Sequence, residues 1–152
     1  MGIMHRRKLL QQLDIERIRA AIGDAERETS GEVRVSVARF FWGRVRPSAE
    51  RAFRRLGMTR TKDRNGILFF IVPSRRRFVV LGDEGIHAKV GQEFWDGIAA
   101  SMSEDFKKGD FTDGLIRGIG KAAEGLAVHF PCQAATDVNE LPDDIDFGKG
   151  RK

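Results

Sequence analysis

The sequence predicts an α/β protein, a three-layer α/β/α sandwich built on a small mixed β-sheet. Three observations predict it. Val33, Val35 and Val37 alternate with Arg34 and Ser36, a strand pattern lying between two segments of helical period. The stretch Gly66 to Val72 is almost wholly apolar, as in a central strand covered on both faces. Two further helix-period segments follow a hairpin. The resulting order, α–β–α–β–β–α–α, calls for helices on both sides of the sheet.

The elements follow in turn. Leu10, Leu13, Ile18, Ala21, Ile22 and Ala25 fall at helical spacing, which predicts an amphipathic helix over about 9–28. Asp14 offers a cap for a shorter version starting at Ile15. A strand follows from about Glu32 to Arg39 with one face buried, and Phe40-Phe41-Trp42-Gly43 leads into a basic loop, its three aromatics read as core or loop packing, with an exposed patch as the alternative. Ala49, Ala52, Phe53 and Leu56 predict a helix over about 47–56, stopped by Gly57. Pro73-Ser74-Arg75-Arg76 turns the chain from the strand 66–72 into its hairpin partner, Arg77 to Leu81. Phe94, Trp95, Ile98, Met102 and Phe106 predict a helix over about 92–107. Gly109-Asp110 breaks it, and a last helix runs from about Phe111 to His129. Gly114, Gly118, Gly120 and Gly125 lie in that last helix, where each costs up to about 1 kcal/mol against alanine. Close approach to the sheet is the expected return. Residues 132–152 read as an acidic tail, extended or partly disordered, so that one domain spans 1–131.

Composition narrows the function. The chain has 152 residues, 41% hydrophobic and 32% charged, which suits one folded domain. No apolar stretch approaches the roughly 18 residues of a membrane helix. The basic start His5-Arg6-Arg7-Lys8 is followed by no apolar segment of signal-peptide length, so a cytoplasmic location is expected. Cys132 is the sole cysteine, which excludes an internal disulfide and a multi-cysteine zinc site. Charge is uneven: residues 1–80 hold 19 Lys and Arg against 8 Asp and Glu, whereas residues 81–152 hold 8 against 14. A solvated gradient explains this most simply. The sharper reading is a face for nucleic acid or an anionic membrane surface, carried by Arg51, Arg54, Arg55 and Arg75, Arg76 and Arg77. No nucleic-acid motif accompanies it.

The familiar catalytic signatures are missing: no nucleophile elbow, P-loop, zinc-protease helix or dinucleotide fingerprint occurs. One constellation comes from topology. The hairpin brings Asp63-Arg64-Asn65-Gly66 beside Gly82-Asp83-Glu84-Gly85. A crossover through helix 47–56 makes the first two strands parallel, which carries Glu32 to the same edge. Oxygen ligands converging from several loops suit a hard cation, Ca²⁺ or Mg²⁺. Turn formation by Asp63, Asn65 and Asp83 is the plainer explanation of the same residues.

Several strings are familiar in order: Thr29-Ser30-Gly31-Glu32-Val33-Arg34-Val35, Asp63-Arg64-Asn65-Gly66-Ile67-Leu68, Phe78-Val79-Val80-Leu81-Gly82-Asp83-Glu84-Gly85-Ile86, and Gly109-Asp110-Phe111 with Gly114-Leu115. Together, from about Ile15 to Pro131, the chain resembles the TPM domain family. The Asn139-Glu140-Leu141-Pro142-Asp143 stretch is similar to the tails of its short, soluble bacterial members. The resemblance implies an α/β/α sandwich. It also implies relatives in the thylakoid lumen connected with photosystem II repair, weak acid phosphatase activity, and calcium binding in some members. An acidic site is carried over onto Glu32, Asp63 and Asp83, with Glu84 and Asp110 as weaker members. Three functions follow: a cation-binding interaction domain, a weak metal-assisted phosphatase acting on phosphomonoesters, and a basic module for an anionic surface. The lack of an evident nucleophile or general base favours the first.

Overall fold

The computed structural model describes residues 13–38, 43–132 and 145–148. Helix α1 is Ile15–Glu28, the shorter of the two versions, because the Asp14 side chain accepts from the Arg17 N–H and caps it. Strand β1 is Glu32–Val37, and helix α2 is Val45–Arg55. A single 3₁₀ turn, Met58–Arg60, leads to β2, Gly66–Val72. A second 3₁₀ turn, Pro73–Arg75, leads to β3, Arg77–Gly82. Helices α3 (Glu84–His87), α4 (Gln92–Lys108) and α5 (Phe111–His129) complete the order.

The sheet has three strands in the order β1-β2-β3. β1 runs parallel to β2 with Glu32 opposite Gly66, and β2 runs antiparallel to β3 with Ile67 opposite Gly82. Alternation along each strand splits the side chains between two cores. Val33, Val35, Val37, Ile67, Phe69 and Ile71 join α1, α4 and α5 on one side. Leu68, Phe70 and Val72 join α2 and Met58 on the other. Every residue of β2 is therefore buried, which is why its sequence is one apolar run. Burying each such side chain is worth roughly 1.5–3 kcal/mol. The three-layer α/β/α arrangement stands as expected.

Several details depart from expectation. β1 ends at Val37 and is buried on both faces: Glu32, Arg34 and Ser36, on the α2 side, are 4%, 6% and 2% exposed. A period-2 pattern reports polarity, and here the polar face is enclosed as well. α2 starts at Val45, two residues early, with Pro47 in its first turn where no intrahelical N–H is needed. Gly57 (φ 74°) stops it. Helix α3 was not foreseen, because four residues are too few to show a period. The glycines of α5 serve mainly α4. A Cβ at Gly114 or Gly125 would press on Phe106 or Phe94 of α4, and one at Gly118 would meet both Met102 of α4 and Phe69 of the sheet. No helix of the described residues is long and apolar enough to cross a membrane.

Part of the acidic tail lies extended on the fold. Ile145 is 6% exposed in the main core, and Asp146 bridges to Ser36 at the outer edge of β1. Residues 145–147 thus lie extended against the body of the fold. Residues 9–12, Arg39, the Phe40-Phe41-Trp42 cluster and the rest of the tail lie outside the described residues.

Candidate functional site

Strand register places the start of β1, the start of β2 and the end of β3 at one end of the sheet. Glu32 is paired with Gly66, the Glu32 N–H donates to the Asn65 carbonyl (3.4 Å), and the Asp83 N–H donates to the Gly66 carbonyl (3.0 Å). Gly85 lets the two loops close on each other. Its N–H donates to the Arg64 carbonyl (2.9 Å), and a Cβ there would lie 2.1 Å from the Asp63 carbonyl oxygen. Glu32, Asp63, Asp83 and Glu84 accordingly share this end.

Their surroundings differ sharply. Asp83 is buried and its carboxylate is fully engaged: Arg64 Nε donates to Oδ2 (2.6 Å), Arg64 Nη2 to Oδ1 (2.9 Å), and the Glu84 N–H to Oδ1 (2.8 Å). The last bond caps α3. Arg64 also donates through Nη1 to Glu84 (2.8 Å), so one guanidinium spans two carboxylates. Its hydrogen bond to Asp83, then the charges of Asp83 and Glu84, raise the Arg64 pKa against the opposing effect of burial. Arg64 holds a left-handed backbone (φ 52°), unusual outside glycine and asparagine, and the fork onto Asp83 fixes it there. Asp63 and Glu84 are exposed. Glu32 is buried beside Asn65, which is 1% exposed and whose side-chain oxygen has no hydrogen-bond partner among the described residues. A buried carbonyl oxygen left in that state is costly unless an ion, water or donor serves it.

The profile of the TPM domain family matches residues 3–125, most of the chain. This chain belongs to the TPM domain family. In the same fold, the NMR structure of the BA42 protein from the psychrophilic bacterium Bizionia argentinensis is 39% identical, with a TM-score of 0.82 over 90% of this chain and 95% of that one. Two more distant domains share the fold alone. The N-terminal domain of a protein from P. gingivalis is 18% identical (TM-score 0.59), covering 73% of this chain and 72% of that one. The N-terminal domain of the Corynebacterium glutamicum cg2496 protein is 13% identical (TM-score 0.55), covering 90% and 80%. No functionally curated protein matches the chain.

In this TPM domain, Asp110 is not part of the Asp83 end. It precedes α5 at the opposite end of the sheet, where Arg76 of the β2–β3 turn donates to the Lys107 carbonyl (2.9 Å). Spacing alone could not place it, because α4 carries the chain across the whole sheet. No group of three or more His, Cys, Asp or Glu is gathered for a metal among the described residues. The arginines also have internal duties. Arg55 is paired with Asp146 (2.8 Å), Arg51 donates to Ser48 (3.1 Å) and Arg75 donates to the Gly43 carbonyl (3.1 Å), while Arg54 is exposed. Sequence reasoning missed Arg64 as the partner of Asp83 and Asn65 as a buried oxygen. Both stand in the Asp63-Arg64-Asn65-Gly66 string, which reads as a turn.

Proposed function

We propose that this TPM domain is a cation-binding interaction domain whose divalent cation, Ca²⁺ or Mg²⁺, binds where the 63–66 loop meets Asp83 and Glu84. The observation that carries this reading is the buried Asn65 side-chain oxygen, without a hydrogen-bond partner among the described residues, on the residue whose backbone carbonyl accepts from the Glu32 N–H, at an end that also presents Asp63 and Glu84. Hard oxygen donors of this kind suit both ions. The donors are oxygens of the right chemistry, and a cation has to draw them together, since the described residues gather no cluster of three carboxylates. Asp83 itself is clamped by Arg64, so it serves as the anion that orients Arg64, and Glu84 reaches a cation by leaving the guanidinium.

The test uses the exposed members, whose replacement leaves the core intact. Ca²⁺ at about 100 times its dissociation constant stabilises the folded state by about 2.7 kcal/mol, a rise of several degrees in Tm. The double variant Asp63→Asn, Glu84→Gln should lose most of that rise, whereas Glu124→Gln on α5 should keep it. A rise that persists in the double variant moves the site elsewhere, and no rise in the wild type removes the reading. Phosphomonoester hydrolysis that needs the same cation and disappears in the double variant would make the domain the weak phosphatase instead.

A further inference from the structure

The outer edge of β1 is read by a segment of the chain itself. The Asp146 N–H donates to the Val35 carbonyl (2.9 Å) and the Val37 N–H donates to the Asp146 carbonyl (2.7 Å), a short parallel bridge. Ile145 and Phe147 turn toward the main core, as alternation along an extended segment requires. Asp146 turns to the α2 side. There its carboxylate accepts from Ser36 Oγ (2.8 Å), from Arg55 Nη2 (2.8 Å) and Nη1 (3.2 Å), and from the Gly148 N–H (3.3 Å).

Main-chain pairing with an exposed edge, plus separate side-chain contacts for alternate residues, is how sheets bind extended peptides. The Arg55 fork supplies a preference for a carboxylate over its amide. β1 has no other strand on this side among the described residues, so the edge is free to pair whenever the segment leaves. Its main-chain hold is one bridge, against the six residue pairs that join β2 to β3, so the side chains of Ile145, Asp146 and Phe147 supply most of what keeps the segment in place. Because the segment belongs to the same chain, its effective concentration at the edge is high.

We propose that the outer edge of β1 is a peptide-recognition site for an extended partner segment with an aspartate between two apolar residues, and that Ile145–Gly148 is its resident, displaceable occupant. The site is independent of the cation end.

Two versions of the full chain test it. In the first, Asp146→Ala weakens the resident, and a labelled peptide with the sequence of residues 143–149 is titrated by fluorescence anisotropy. The peptide should bind the variant about tenfold tighter than the wild type. Changing its aspartate to asparagine should weaken it by about tenfold, the equivalent of one charge-assisted hydrogen bond. Adding Arg55→Gln should erase the difference between the two peptides. In the second, a protease site inserted within residues 133–144 allows the tether to be cut after folding, so no residue is lost. The freed fragment should then dissociate on dilution and be replaced by added peptide. A fragment that survives exhaustive dialysis, or aspartate and asparagine peptides that bind alike, overturns the proposal. A dimer formed by the wild type without peptide would overturn the choice of a different partner, because a second copy then fills the edge.

Discussion

Removing the Asp83 carboxylate deprives three donors of their acceptor: Arg64 Nε, Arg64 Nη2 and the Glu84 N–H. Arg64 is 39% exposed and regains water, so the loss falls mainly on the helix cap and the closure of the two loops. Asp83→Ala should therefore cost about 2–3 kcal/mol in urea denaturation. Asp83→Asn should cost distinctly less, because its amide oxygen still caps α3. Equal damage from both would show that the ion pair with Arg64, rather than the cap, holds this end together. The type of residue at position 83 was legible in the sequence as a turn former at a strand end. Its partner was not, since Arg64 stands 19 positions away and meets it only through the hairpin.

At the scale of the element, α5 separates two kinds of glycine. A Cβ at Gly118 would lie 2.5 Å from Met102 Sδ and 3.1 Å from the Phe69 ring, whereas one at Gly120 would meet nothing within 4 Å. Gly118→Ala should destabilise by about 1–3 kcal/mol through overpacking, even with the flexible Met102 giving way. Gly120→Ala should stabilise by about 0.5–1 kcal/mol, through helix propensity and a more restricted unfolded chain. Denaturation midpoints that shift in opposite directions confirm the distinction, and a gain at Gly118 would refute the close contact with α4. The sequence places both glycines on a helix. Only the packing of α4 against α5 tells which one is needed.

For the whole molecule, the Ile145–Gly148 clasp links stability to pH. Burial by itself would raise the Asp146 carboxyl pKa. The hydrogen bonds from Arg55 and Ser36, the Arg55 charge and the Gly148 N–H outweigh this and hold it below the ordinary 3.8. Folded Asp146 thus binds its proton less tightly than the unfolded chain does. Its contribution is complete above the ordinary carboxylate pKa and is lost as pH falls below about 4, through the lowered folded value. The Tm difference between wild type and Asp146→Asn should be widest near neutral pH and close in that acidic window. A difference unchanged at pH 3 would show that the charge of Asp146 plays no part in the clasp.

The sequence by itself determined the layer arrangement, the element order and the family. Hydrophobic period is local: the apolar run of β2, the valine alternation of β1 and the helical spacing of α4 and α5 each depend on residues a few positions apart. The parallel crossover then follows from chain connectivity, which is enough to bring Glu32, Asp63 and Asp83 to one end of the sheet. Tertiary structure alone decided which of those carboxylates is spoken for. It engaged Asp83 with Arg64, sent Asp110 to the far end and enclosed the polar face of β1. It also took Arg55 from the basic surface to hold Asp146, and so returned part of an acidic tail to the edge of the sheet. Ion pairs and buried polar atoms form between residues distant in the chain, and their partners are fixed by the packing of whole elements, which no local pattern records.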